Sequence, residues 1–256
     1  MILYFDSYIT DKPLHQGWQK LRKIERKVRD GCQTYRTQSR LDITKYTLAS
    51  YAQIDWTNVL IRYELEDPLQ TKEFDRYILS LFPKAIIMHT RSDSQKDYQK
   101  SIELLQKLGD EWIFCSPNND HPFIDVDKDV FIPLIKKANS LKEKYNNNIS
   151  IAYSHFPEVN CSSQTGHLMN LSYCSNTKII DEDKNCRSVL YPNGNLDSIQ
   201  ILHIDLLRNW FFSDDCGEAR IIRPENLAPH IKPPVQVVIV PKHEIIRHYD
   251  GYMHTI

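Results

Sequence analysis

Short apolar runs alternate with amphipathic helical patterns along the first half of the chain, and this order constrains the fold more than any other feature. Each apolar run is short enough for a strand and ends at charged or turn-forming residues. The predicted strands cover residues 2–5, 58–63, 85–89 and 112–115. The predicted helices cover residues 18–29, 43–54, 73–81 and 95–108. Strands that alternate with helices in this way predict an α/β fold with a mostly parallel sheet flanked by helices.

The second half of the chain is less regular. A helical pattern covers residues 131–145, whereas residues 157–198 are rich in Asn, Ser and Asp and are predicted to be mostly loop. The predicted strands of this half cover residues 149–153, 199–204 and 235–240. Because no repeat or low-complexity linker separates the halves, we expect a single domain with a first half at 1–125 and a second at 126–256.

Composition narrows the class of protein. The formal net charge is −1, so no overall field attracts nucleic acid, and no nucleic-acid partner is expected. A transmembrane helix needs about 18 consecutive apolar residues, and no apolar run in the sequence is that long. The first residues lack the features of a signal peptide. Six cysteines without a CxxC pair favour reduced thiols and a cytoplasmic location. The absence of GxGxxG and Walker sequences disfavours a dinucleotide-binding fold and a P-loop kinase.

A polar turn follows the fourth predicted strand directly. Its side chains offer two carboxamides, a carboxylate and an imidazole, from Asn118, Asn119, Asp120 and His121. In open α/β sheets, ligands bind outside the carboxyl ends of the strands. Oxygen and nitrogen donors at such a place suit a hard divalent cation and the phosphates that it carries. The alternative is an Asx-turn whose side chains cap their own backbone.

The order of elements up to this turn resembles that of the GT-A-type glycosyltransferases. In that family a Rossmann-type sheet ends its fourth strand in an Asp-x-Asp motif, and residues 118–120 occupy the equivalent place here. The resemblance covers residues 1–125, which it marks as the nucleotide-sugar-binding half, and it implies that residues 126–256 bind the acceptor. It implies transfer of a sugar from a nucleotide-sugar donor to a glycan or lipid-linked acceptor. One departure is Asn118, which stands where the family has the first Asp.

The resemblance also implies a metal. Mn²⁺ or Mg²⁺ would bind the donor diphosphate, with Asp120 as the retained carboxylate ligand. The family often supplies a histidine from the C-terminal region as another ligand, and His254 is preferred here over His248. His121 is positioned in sequence to orient the Asp120 carboxylate. The alternative for His254 is a polar tail without a ligand role.

The ends of the first three predicted strands supply candidates for the nucleoside, and Arg40 and Arg91 are candidates for the phosphates. Carboxylates can accept from a base or ribose hydroxyl, tyrosine can stack on the base, and arginine can neutralise phosphate. The candidate donor-binding residues are Asp6, Tyr8, Arg40, Glu64, Arg91, Asp93, Asn118 and Asn119. Charged residues at strand ends are also common in solvated turns that bind nothing.

An inverting transferase needs a general base that takes the proton of the acceptor hydroxyl. Asp214 and Asp215 follow an aromatic run, Trp210 to Phe212, that could support a sugar ring, and they are the candidate catalytic residues. Glu225 and Glu158 are alternative candidates for the base. Asp214 and Asp215 could instead belong to an acidic surface turn with no catalytic role.

The predicted helix at 18–29 has a strongly basic face, from Lys20 to Arg29. This face is either solvated or close to anionic lipid, where a lipid-linked acceptor would reside, so peripheral membrane contact is one expectation. No aromatic residues interleave with the charges as they do in many nucleic-acid-binding surfaces.

Two other functions fit parts of the sequence. A metal-dependent phosphoesterase could use residues 118–121 in a two-metal centre, although it would need further His and Asp clusters at other strand ends. A non-catalytic zinc module could form in the second half, although its ligand spacing is irregular. The candidate zinc ligands are His155, Cys161, His167, Cys174 and Cys186.

Overall fold

The computed structural model describes most of the first half of the chain and several segments of the second. The described residues are 1–9, 39–89, 95–116, 119–124, 126–152, 178–191, 199–206, 236–243 and 245–246. Within these residues, no helix has both the length and the apolar character needed to cross a bilayer.

The described part of the first half alternates strands and helices as predicted, and the predicted helix at 18–29 lies outside the described residues. The strands are β1 (Ile2–Ile9), β2 (Asn58–Leu65), β3 (Ile86–His89) and β4 (Trp112–Ser116). The helices are α1 (Arg40–Tyr51), α2 (Pro68–Leu81) and α3 (Gln95–Leu108). Gly109 follows α3 with a φ of 80°, a left-handed conformation that glycine adopts without the steric cost of a Cβ, so it ends the helix where the sequence indicates.

The second half contributes one long helix and five strands among the described residues. The helix α4 (Ile132–Lys142) continues into a 3₁₀ turn at Glu143–Tyr145. The strands are β5 (Ile149–Ala152), β6 (Lys178–Glu182), β7 (Cys186–Tyr191), β8 (Gln200–His203) and β9 (Gln236–Pro241). The strands of both halves belong to one sheet.

The described strands form a nine-stranded sheet in the order β3-β2-β1-β4-β8-β5-β9-β7-β6. β1 pairs in parallel with both β2 and β4, whereas β8 and β7 are antiparallel to their neighbours. All the other strands therefore run in one direction, and the predicted α/β class with a mostly parallel sheet is confirmed. The chain leaves β1 toward β2 on one side and returns to β4 on the other. The boundary between β1 and β4 is thus a topological switch point, where ligands bind in open α/β sheets.

Helices cover both faces of the sheet. On one face, odd-numbered β1 residues such as Leu3 and Phe5 pack with α1, α2 and α4 in the larger buried cluster. On the other, even-numbered β1 residues such as Ile2 and Tyr4 pack with Ile102 and Leu105 of α3. The alternation follows from the two-residue period of a strand, which gives each face its own apolar set.

Several predicted boundaries and one predicted loop were wrong. β1 runs to Ile9 rather than ending at Phe5, and α1 lies three residues before its predicted range of 43–54. α2 begins at Pro68, five residues before the predicted start, because Asp67 caps the helix and proline suits its first turn. Residues 178–191, predicted as loop, contain the hairpin of β6 and β7. The side chains of β6 are mostly exposed or half-buried, so this strand has little of the apolar pattern on which a prediction depends.

His203, at the end of β8, makes the stability of the fold depend on pH. Its Nδ1 accepts a hydrogen bond from the backbone N–H of Asp205 at 3.2 Å, which requires that nitrogen to be unprotonated. Burial lowers the pKa of His203. The unfolded chain therefore takes up this proton first. The stability contributed by neutral His203 is present above the unfolded pKa of about 6.5 and decreases as the pH falls from there toward the folded pKa.

We expect the urea midpoint of the wild-type protein to fall more steeply from about pH 7 to about pH 5 than that of a His203→Asn variant. Asparagine supplies an acceptor oxygen but does not titrate. Parallel slopes for the two proteins would show that His203 does not contribute to the pH dependence.

Candidate functional site

The candidate site lies at the switch point, between the start of α1 and the turn that follows β4. Phe5 of β1 pairs with Ser116, the last residue of β4. Asp6, the next residue of β1, therefore lies just beyond the end of β4. The N-terminus of α1 is capped by Ser39, whose hydroxyl accepts from the backbone N–H of Asp42 at 3.1 Å. Helix N-termini carry a partial positive charge, so an anion is favoured here.

Arg40, the first residue of α1, reaches the turn after β4. Its Nη1 donates to the Oδ1 of Asn119 at 3.1 Å and to the Oδ2 of Asp120 at 2.7 Å. Asn119 and Asp120 are each 5% exposed. Among the described residues, the Nδ2 of Asn119 is a buried donor without a hydrogen-bond partner. The three residues predicted to contact phosphate and metal are therefore brought together, although the chain separates Arg40 from the others by about eighty positions.

His121 lies beside the same carboxylate, and its predicted orienting role stays a prediction. Its Nδ1 lies 2.9 Å from the Oδ1 of Asp120, and the ring is buried. The two oxygens of Asp120 thus face different partners, with Arg40 at Oδ2 and His121 at Oδ1. The hydrogen bond from Arg40 orients the carboxylate, and the imidazole of His121 lies against its other oxygen.

Three side chains on one face of α1 hold the turn in place. Thr47 donates from its hydroxyl to the carbonyl of Asn119 at 2.9 Å, and Tyr51 donates to the carbonyl of His121 at 2.9 Å. The hydroxyl of Ser50 accepts from the backbone N–H of Phe123 at 2.9 Å. Their spacing of three and four residues places them side by side along the helix. Sequence reasoning missed these residues, because hydroxyl groups on a buried helical face were the sole signal.

Tyr51 has the most central position of the three. Its hydroxyl also contacts the hydroxyl of Ser116 at 2.9 Å, and its ring packs edge-on against Phe114 with centroids 5.4 Å apart. Burial raises the pKa of Tyr51 far above its ordinary range, so the phenol stays protonated and remains a donor.

Replacing Tyr51 by phenylalanine removes the hydroxyl but keeps the ring. We expect the free energy of unfolding to fall by about 1–3 kcal/mol, because the carbonyl of His121 and the hydroxyl of Ser116 lose a buried partner. Urea unfolding measures this change. A Tyr46→Phe variant on the same helix is the control, since Tyr46 is 46% exposed. An equal, negligible change in both variants would show that the hydroxyl does not hold the turn.

A second ion pair lies on the α3 face of the same strands. Asp6 is opposite Arg62 in the parallel register of β1 and β2, and Nη1 of Arg62 lies 2.7 Å from Oδ2 of Asp6. Arg62 is fully buried and Asp6 is 7% exposed. Arg62 was missed, although a charged residue at the fifth position of each strand is a signal that two parallel strands place a pair there. The candidate donor residue Asp6 thus also neutralises a buried cation.

The structure describes some of the other candidate site residues and not the rest. Tyr8 and Glu64 are register partners near the ends of β1 and β2. The remaining candidates lie outside the described residues: Arg91, Asp93, Asn118, Asp214, Asp215 and His254.

Within the described part of the chain, no group of three or more His, Cys, Asp and Glu side chains could hold a metal ion. Of the candidate zinc ligands, Cys186 is described, and it is a buried free cysteine whose thiol lies 3.7 Å from a carboxylate oxygen of Asp183. The residues His155, Cys161, His167 and Cys174 lie outside the described ranges.

No protein-family model and no curated protein matches the sequence. Among solved structures, S. aureus TarS 1–349 is similar over 98% of this chain and 62% of its own length, with 10% identity and a TM-score of 0.47. The complex of TarS 1–349 with UDP-GlcNAc is similar over 84% of this chain and 56% of its own, with 11% identity and a TM-score of 0.43.

A Desulfovibrio desulfuricans G20 protein described as a nucleotide-diphospho-sugar transferase is similar over 88% of this chain and 72% of its own, with 12% identity and a TM-score of 0.39. The chain thus spans about three fifths of TarS 1–349, at 62% of its length. At TM-scores below 0.5, however, the likeness carries no inference about the activity of this chain.

Proposed function

We propose that this chain is a nucleotide-sugar-dependent glycosyltransferase of the GT-A type that transfers a sugar to a glycan or lipid-linked acceptor in polysaccharide biosynthesis. One observation carries the proposal: Arg40, Asn119, Asp120 and His121 converge at the switch point of a mostly parallel sheet. The place is the usual ligand crevice of such sheets, and the residues have the chemistry that a diphosphate group requires.

The reaction breaks the bond between the sugar and the diphosphate, so negative charge builds on the leaving group. Arg40 supplies a guanidinium at the start of α1, where the helix N-terminus adds a partial positive charge. The buried Nδ2 of Asn119 is a donor that a phosphate or ribose oxygen would satisfy. Donors that are already fixed in place stabilise developing charge without reorganisation at the moment of reaction.

The chemistry of the donor set fits a divalent cation. The oxygens of Asn119 and Asp120 already converge on one cationic nitrogen of Arg40. Oxygen donors of this kind suit Mn²⁺ or Mg²⁺, and we propose Asp120 as the principal ligand, with His254 as a second ligand from outside the described residues. When bound, the cation would act as a Lewis acid on the leaving diphosphate.

The acceptor half of the proposal rests on residues outside the described ranges. We propose Asp214 and Asp215 as candidates for the base that takes the proton of the acceptor hydroxyl, because they follow an aromatic run that suits a sugar ring. The basic face from Lys20 to Arg29 would favour an acceptor at an anionic lipid surface.

A thermal-shift screen with UDP-, GDP-, CMP- and dTDP-linked compounds, with and without Mn²⁺, tests the donor class. We expect one nucleotide to raise the melting temperature, and the same compound to be consumed in a turnover assay. An Arg40→Gln variant should lose most of the shift. A Lys45→Gln variant is the matched control, because it also removes one cation from α1. The ammonium of Lys45 lies over the ring of Tyr77, not beside Asn119 and Asp120.

A protein that shows no shift with any nucleotide sugar would contradict the proposal. Tightly bound zinc in metal analysis would favour a zinc module instead, and hydrolysis of a simple phosphate ester without nucleotide dependence would favour a phosphoesterase.

A further inference from the structure

We propose that Arg40 and a divalent cation compete for the same two oxygens, and that the diphosphate of the donor releases Arg40 from them. The inference rests on the proposed function and adds a coupling between its two ligands. The motivating geometry is that a single nitrogen, Nη1 of Arg40, lies 3.1 Å from Oδ1 of Asn119 and 2.7 Å from Oδ2 of Asp120. The guanidinium thereby stands in for the cation that these oxygens would bind.

The two cations exclude each other. Both would need the Oδ2 of Asp120 and the Oδ1 of Asn119, and both residues are 5% exposed. Water screens like charges poorly at such depth, so a divalent ion and a guanidinium on one carboxylate repel each other. Removal of Arg40 from Asp120 therefore has to precede or accompany binding of the metal.

Arg40 is the partner that can move. The turn that carries Asn119 and Asp120 is held to α1 by hydrogen bonds from Thr47 and Tyr51, each 2.9 Å long. Arg40 instead has a long side chain that is 19% exposed, on the first residue of the helix. A diphosphate accepts two parallel hydrogen bonds from a guanidinium, so the donor offers Arg40 a replacement for the carboxylate.

Positive coupling between nucleotide and metal follows. The metal alone must displace Arg40 without giving it a new partner. When a nucleoside diphosphate is also present, its phosphates give the displaced Arg40 a new partner. Coupling of this kind is typically 5–150-fold in affinity, roughly, and it is reciprocal between the two ligands. We therefore expect wild-type protein to bind Mn²⁺ weakly by itself and at least about tenfold more tightly with UDP or GDP present.

The test is Mn²⁺ binding to the full chain, followed by the electron paramagnetic resonance signal of free Mn²⁺ and by calorimetry. Arg40→Gln should bind Mn²⁺ alone at least about tenfold more tightly than wild type, because the competitor is gone. Arg40→Lys keeps the positive charge and should stay near the wild-type affinity. Asp120→Asn should lose the site in either background. Circular dichroism confirms that each variant is folded.

Equal or weaker Mn²⁺ binding by Arg40→Gln, compared with wild type, would overturn the competition. Failure of every protein to bind Mn²⁺ would overturn it as well, because Asp120 would then not be a cation ligand. Neither result bears on nucleotide binding, which the thermal shift without metal reports separately. The competition and the proposed nucleotide-sugar activity can therefore fail independently, whereas absence of Mn²⁺ binding by every protein would also remove the proposed metal role of Asp120.

Discussion

Replacing Asp120 by alanine is expected to lower donor turnover by about a hundredfold or more, while the far-ultraviolet circular dichroism spectrum stays that of the wild type. The carboxylate holds Arg40 at 2.7 Å and His121 at 2.9 Å, and it is the proposed ligand of the metal. Loss of one preorganised electrostatic group in a buried site typically costs about 10²–10³-fold in rate. Arg40 is partly exposed, so water can solvate its guanidinium when the carboxylate is gone.

The control for this experiment is Asp129→Ala, which removes an exposed carboxylate nine positions further along the chain. Asp120→Asn separates charge from shape, because it keeps an acceptor oxygen for Arg40 and should still lose most of the turnover. If Asp120→Ala converted donor at the rate of the wild type, Asp120 would have no part in the reaction, and the site would have to lie elsewhere.

Replacing Asp6 by alanine is expected to lower the free energy of unfolding by about 3–5 kcal/mol, because it leaves the fully buried guanidinium of Arg62 without its carboxylate. Total stabilities of domains are about 5–15 kcal/mol, so this is a large fraction. Urea unfolding at neutral pH gives the value. An Asp67→Ala variant, at the exposed N-cap of α2, should cost about 1 kcal/mol and serves for comparison.

A double-mutant cycle tests the reason for that loss. Asp6→Leu combined with Arg62→Met removes both charges and fills much of the same space. It should be more stable than Asp6→Leu alone, because the buried charge that lost its paired carboxylate is removed as well. Strictly additive effects would mean that the two residues do not interact energetically. If Asp6→Leu alone does not fold, a folded Asp6→Leu/Arg62→Met variant would still show that the two residues interact, because the second change would then rescue the first.

The elements of the first half could be predicted because their signals are local. The apolar runs of β1, β2 and β4 and the stop at Gly109 depend on residues that are neighbours in the chain. The sequence also predicted a site after β4, because the carboxyl ends of parallel strands share one edge of the sheet, and the function of that site stays a prediction. The contact of His121 with Asp120 involves adjacent residues, and it too followed from the sequence.

Partners that are distant in the chain could not be predicted in the same way. Arg40 was expected near phosphate, but its pairing with Asn119 and Asp120 depends on where α1 packs against the sheet. The pairing of Asp6 with Arg62 depends on the register of β1 and β2. β6 has no fully buried side chain and forms as a partner of β7. Periodicity reports which face of an element is buried, whereas register and packing decide which charges meet, and those depend on the whole sheet.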